Sequence, residues 1–352
     1  MKIDFAKKLL QWDQEQNFRA MPWKKETNPY HIWLSEIILQ QTRVEQGRAY
    51  YHKFLKRFPS IEVLAKAPEK EIFKCWEGLG YYSRCRNLIA AAKKIQTEYQ
   101  GRFPSDYASI LGLPGVGPYT AAAISSFAFG LPHAVVDGNV IRVLARYFGI
   151  TTPPGSAAGK QLFDRLAGAL LDKKYPALYN QAIMDFGATI CKPRNPLCTQ
   201  CIQAKSCQAF QKGWIQELPR KQATPERKKR WFYYFIVKAG KNKYWIRKRT
   251  EKDIWQNLYE FILWEPGKLI PQNRISSHPF FRKHFGKMGL EIEHIGTPIH
   301  QDLTHQTITC YFIQLSDGLN ELSGYQAVSK KQLLAFPLPK MIAGYISPPM
   351  GI

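Results

Sequence analysis

The chain has 352 residues, 45% of them hydrophobic and 22% charged, which excludes a disordered or fibrous polymer and leaves room for two separate cores. No apolar run reaches the roughly 18–20 residues that would cross a bilayer, and no lipidation signal is evident. Fifty Lys and Arg stand against 27 Asp and Glu, a formal net charge of +23, so an anionic partner is expected, and nucleic acid is the commonest one.

Taken in chain order, MKIDFAKKLLQWDQ reads as an amphipathic helix with Phe5, Leu9 and Trp12 on one side, lacking the core and cleavage site of an export signal. Together with reduced thiols this predicts a cytoplasmic, nucleoid-associated monomer. The next helix, HIWLSEIILQQT, places Glu36 among Ile32, Trp33, Leu39 and Gln40. A carboxyl on so apolar a face loses hydration, which raises its pKa and favours the protonated acid. RNLIAAAKKIQTEY continues the helical pattern.

Residues 111–126, LGLPGVGPYTAAAISS, then describe a helix, a tight glycine turn and a second helix opened by Pro118. Gly115 and Gly117, around Val116, let backbone N–H groups face a phosphate with no Cβ in the way. This is a helix-hairpin-helix signature. Asp137, in AVVDGNVIRVLARYFG, caps the following helix, which also carries Arg142 and Arg146. Such a carboxylate can stay ionised and stabilise a developing cation. One carboxyl poised as acid and another kept ionised is an arrangement that cleaves glycosidic bonds.

Cys191, Cys198, Cys201 and Cys207 follow the spacing C-x6-C-x2-C-x5-C. Four thiolates in one compact loop hold zinc or an iron–sulfur cluster. Zinc ribbons usually pair two C-x2-C knuckles and only one occurs here, so a [4Fe–4S] cluster is the preferred reading. RKQATPERKKR (220–230) reads as a basic linker. Beyond it the pattern changes. WFYYFIVKAGKNKYWIRKR reads as two strands around a turn, and THQTITCYFIQL as a half-buried strand. The expected architecture is multidomain: an all-α part over 1–215, a linker over 216–230, and a smaller α+β part over 231–352.

The stretches PWKKETNPYHIWLSEIILQQTRV, WEGLGYYSRCRNL, LPGVGPYTAAAI, VDGNVIRVLAR, NQAIMDFGATIC and the cysteine loop together resemble the MutY-family adenine DNA glycosylases of the endonuclease III superfamily. The resemblance implies flipping and excision of adenine mispaired with 8-oxoguanine or G in duplex DNA. By the same likeness Glu36 is the acid that protonates adenine at N7. Asp137 stabilises the sugar cation, with Asn139 as its hydrogen-bonding neighbour. Tyr119 stands where bifunctional relatives carry a lysine, so the chain should leave an abasic site uncut. Trp23 and Gln181 correspond to base-pocket residues, and Gln41 and Tyr81 to residues inserted near the lesion. Lys192 and Arg194 correspond to phosphate contacts.

The second part resembles a Nudix-like module that reads 8-oxoguanine, without the glutamate-rich helix of a Nudix hydrolase. Leu303-Thr304-His305 stands in place of a Phe-Ser-His loop; Thr304 keeps a hydroxyl for the modified base, while Leu303 lacks the ring. Two other readings compete: a non-catalytic iron–sulfur protein that senses damage on DNA, and a Nudix nucleotide hydrolase.

Overall fold

A computed structural model describes residues 2–220, 226–240, 242–316, 319 and 321–347. The chain divides into two compact units, one of residues 1–66 and 86–223 and another of residues 67–85 and 224–352. The second unit therefore recruits a helical segment from within the part expected to be one domain. Among the described residues no helix is long and apolar enough to cross a membrane.

The first unit is helical. Its elements are α1 (Lys2–Gln16), α2 (Pro29–Leu39), α3 (Val44–Arg57) and α4 (Ile61–Lys66); after α5 (Glu69–Trp76) of the other unit come α6 (Tyr82–Glu98), which crosses the division, and α7 (Tyr107–Leu111). Then follow α8 (Pro118–Phe129), α9 (Gly138–Phe148), α10 (Ala157–Leu170), α11 (Pro176–Thr189) and α12 (Gln208–Gln211). The apolar stripe of α1 is buried: Phe5, Leu9 and Trp12 join Val140, Leu144 and Phe186 in one cluster, the burial that drives such a helix onto its neighbours. Helix α2 is buried almost all round, from Tyr30 to Ile38, and packs on α8. Gly187 lets α11 approach α9, since a Cβ there would lie 2.7 Å from the Asn139 Cβ and 2.9 Å from its carbonyl oxygen.

The second unit carries β1 (Lys228–Ile236), β2 (Lys243–Lys248), β3 (Tyr259–Glu260), β4 (Ile262–Trp264), α13 (Pro279–His284), β5 (Ile292–Ile295), β6 (Ile299–Asp302), β7 (Gln306–Leu315), β8 (Gln326–Ser329), α14 (Lys330–Leu334) and α15 (Lys340–Ile346). One sheet runs β4-β1-β7-β5, with β6 also on β7; the other runs β3-β2-β8. Strand β1 is parallel to β7 from Lys228↔Gln306 to Ile236↔Gln314. The two strands read around the Gly-Lys-Asn turn thus belong to different sheets, touching through the bridge Lys238↔Tyr244. Strand β7 is buried on both faces over Cys310–Ile313, rather than half-buried, because it is central and Tyr345 of α15 stacks on Phe312 at 4.1 Å.

The stretch expected as linker is ordered at both ends. Leu218 is buried, and its carbonyl accepts from the Arg146 Nε at 3.0 Å; a buried guanidinium must find such acceptors. At the other end β1 already begins at Lys228. Residues 221–225 lie outside the described residues.

Candidate active site

Three elements of the first unit deliver the central side chains. Helix α2 brings Glu36, the first turn of α8 brings Tyr119 behind Pro118, and the N-cap of α9 is Asp137. Glu36 is 7% exposed. Burial pushes its carboxyl up to about 7, the nearby Asp137 adds to the rise, and a hydrogen bond from the Tyr119 hydroxyl opposes it. The Tyr119 phenol is itself driven well above its ordinary range by burial and by both carboxyls.

Asp137 sits in a different setting. Its Oδ1 accepts from the Val140 backbone N–H at 2.7 Å and its Oδ2 from the Asn139 Nδ2 at 2.7 Å. Burial still lifts its carboxyl above the ordinary value, and those donors with the Arg142 charge pull it back. The donors favour the anion at Asp137, whereas Glu36 meets a like charge and one phenol; the larger rise is at Glu36.

A chain of hydrogen bonds runs on from Asp137. Arg142 Nη2 donates to the Asn139 Oδ1 at 2.9 Å and to the Gly187 carbonyl at 2.7 Å, while its Nε donates to the Cys191 carbonyl at 2.7 Å. Arg146 Nη1 donates to the Lys192 carbonyl at 2.8 Å and approaches the Cys191 Sγ at 3.5 Å. The two basic residues noted on α9 are thus buried struts of the cysteine loop.

A cavity of about 880 Å³ is lined by Trp23, Glu36, Gln41, Tyr119, Asp137, Asn139 and Gln181. All seven were singled out in the sequence, and one site gathers them. Gln41 sits in the left-handed region at φ 57°, a strained conformation for a side-chain-bearing residue. Others were missed. Gln40 lines the cavity and donates to the Thr120 hydroxyl at 3.3 Å; its position four residues after Glu36 was the available signal. Asp185, fully buried, accepts from Asn17 at 3.0 Å, Arg19 at 2.7 Å and Lys24 at 3.0 Å. It ties the 17–25 segment to α11, and nothing in the sequence separates it from a solvated aspartate.

The remaining candidates lie elsewhere. Gly115 turns at φ 76°, where a Cβ would sit 2.6 Å from the Asn87 Cβ; Val116 is buried and Gly117 caps α8. Lys192 and Arg194 follow the first cysteine, with Arg194 exposed. In the second unit Tyr81, also left-handed at φ 48°, meets Thr304 hydroxyl to hydroxyl at 2.6 Å. Thr304 and His305 are exposed at the tip joining β6 to β7, where Leu303 N–H bonds the Gln306 carbonyl at 2.8 Å.

Cys191, Cys198, Cys201 and Cys207 are all partly buried. Burial pushes the Cys201 thiol up to about 12 and also raises Cys198 and Cys207, and each of these three feels others of the set. Backbone N–H groups of Gln203 and of Phe210 and Ala209 face the sulfurs of Cys201 and Cys207, the hydrogen bonding that supports thiolate ligands. The donor set therefore fits a cluster. Among the described residues no three His, Cys, Asp or Glu side chains converge as a single ion requires.

Comparison with known proteins gives this geometry a family. Residues 34–166 match the HhH-GPD superfamily of base excision DNA repair proteins, and residues 233–347 match the NUDIX domain. An adenine DNA glycosylase of Buchnera aphidicola subsp. Schizaphis graminum is 38% identical over 263 residues, 73% of this chain and 74% of that protein. The chain belongs to the adenine DNA glycosylase family. The Homo sapiens adenine DNA glycosylase is 42% identical over 224 residues, 61% of this chain and 41% of its own length. The solved structure of a thermostable thymine-DNA glycosylase aligns with a TM-score of 0.56 and 33% identity, over 60% of this chain and 97% of that one. For an adenine DNA glycosylase the helical half bearing Glu36 and Asp137 is thus the superfamily portion, and the second unit is a NUDIX domain. Its helix α13, Pro279–His284, carries Arg282, Lys283 and His284 and no glutamate.

Proposed function

We propose that this chain removes adenine mispaired with 8-oxoguanine or G from duplex DNA and leaves an abasic site. The observation that carries the proposal is the pair Glu36 and Asp137 on one cavity in unequal environments. A site of about 880 Å³ accommodates an extruded nucleotide, which duplex DNA must supply by flipping. Glu36, held as the neutral acid by burial, donates its proton to N7 of the departing adenine. Asp137, with its donors behind it, faces the positive charge that grows on the deoxyribose as the N-glycosidic bond breaks, and water adding at C1′ with loss of a proton completes the abasic site. Asn139 keeps Asp137 oriented. Tyr119 offers a phenol with its proton firmly held and no amine, so no Schiff base forms and the strand stays whole.

Trp23 and Gln181 would enclose the base, and Gln41 and Tyr81 would occupy the space opened by extrusion. The Gly115–Gly117 turn, Lys192 and Arg194 would hold phosphates. Thr304, with His305 beside it, would read the oxidised purine. Cys191, Cys198, Cys201 and Cys207 would hold a [4Fe–4S] cluster that fixes the loop carrying the cations Lys192 and Arg194; bound there, it would supply a rigid scaffold rather than chemistry on the base. The test is single-turnover adenine release from duplexes with A opposite 8-oxoguanine and A opposite G. Release from both, faster opposite 8-oxoguanine and without strand scission, is expected; release from neither refutes the proposal.

A further inference from the structure

Phe18 is 89% exposed, yet the segment that carries it is pinned. Its neighbours Asn17 and Arg19 both bond the fully buried Asp185, and Lys24 closes the segment onto the same carboxylate. Asn17 and Arg19 also line the cavity, so Phe18 stands at its rim. Leu178, 38% exposed and lining the cavity, adds a second apolar group there. Arg19 and Lys24 share the Asp185 carboxylate, Asn17 also donates to the Asp13 carboxylate, and Lys25 stands exposed beside them at φ 72°.

An aromatic ring fixed in water in this way gains nothing from folding. Phosphate contacts would use the cations alone. A flat apolar ring amid cations matches a nucleobase, which every base offers through its π-face. We propose that Phe18 is a stacking platform for a base of the adenine-bearing strand next to the extruded nucleotide. The inference rests on the reading of the cavity as the pocket for flipped adenine. The nucleotide entering that pocket leaves its strand neighbour unstacked on one side, at the rim where Phe18 waits.

The test uses the full chain and a duplex holding 2′-fluoro-2′-deoxyadenosine opposite 8-oxoguanine, with affinity followed across a salt series. Phe18→Ala should weaken binding about tenfold, within the range found when a base–aromatic stack is lost, with an unchanged slope of log affinity against log salt. Phe18→Trp should keep parental affinity. Lys25→Ala should instead reduce the slope by about one. A 2-aminopurine beside the adenine should be quenched on binding the parent and less so on binding Phe18→Ala. Affinity of Phe18→Ala within twofold of the parent, or a changed salt slope, overturns the inference. Adenine release by the parent chain is measured alongside, so failure of the glycosylase reading shows in the parent and failure of this inference shows in the variant alone.

Discussion

At the scale of single residues, the account turns on one proton. A Glu36 carboxyl raised from 4.5 to about 7 represents roughly 3 kcal/mol of preference for the neutral form. Its folded pKa exceeds its unfolded one, so the associated stability is fully present below pH ~4.5 and lost as pH rises through about 7. Glu36→Gln, which cannot ionise, should therefore melt higher than the parent at pH 8 and alike near pH 4, measured by calorimetry, while adenine release falls at least a hundredfold. Tyr119→Phe removes the hydrogen bond that lowers the Glu36 pKa, so the alkaline limb of the rate profile should move to higher pH. Tyr119→Lys places an amine beside the sugar, and a borohydride-trappable adduct is the expected readout.

At the scale of elements, the question is whether Asp137 is a cap or a reagent. Asp137→Ala should cost about 1 kcal/mol through the lost N-cap. Asp137→Asn keeps the acceptor for the Val140 N–H but meets the Asn139 Nδ2 with a second donor, so it should lose no more stability than Asp137→Ala while adenine release collapses. A structural cap alone would leave adenine release intact. Glu36 was legible in the sequence because a carboxylate interrupts an apolar helix face, and Asp137 because an aspartate after a hydrophobic run marks a helix cap. The Asp185 tether was not, since its partners Arg19 and Lys24 lie more than 160 residues away along the chain. For the same reason the burial of Arg142 and Arg146 was not legible either. Their acceptors are backbone carbonyls at Gly187, Cys191 and Leu218, which no residue type announces.

At the scale of the whole molecule, the chain divides into two units. The change from helical to alternating patterning marked the second unit, but not its recruitment of residues 67–85. That recruitment brings Tyr81 within hydrogen-bond distance of Thr304, a pairing fixed by tertiary packing alone. Thr304→Ala should lower the preference for A opposite 8-oxoguanine over A opposite G, read as the ratio of single-turnover rates, while leaving A·G release unchanged. Cys201→Ser should cut iron content and the visible thiolate-to-iron absorbance of the purified protein; an unchanged iron complement would remove the cluster from the loop. The most direct measurement is single-turnover adenine release from an A·8-oxoguanine duplex across pH 5–9, in the parent and in Glu36→Gln. The parent's rate should fall about tenfold per pH unit above pH ~7, as an essential acid ionises, with Glu36→Gln low and flat throughout. A Glu36→Gln profile matching the parent's would contradict the account.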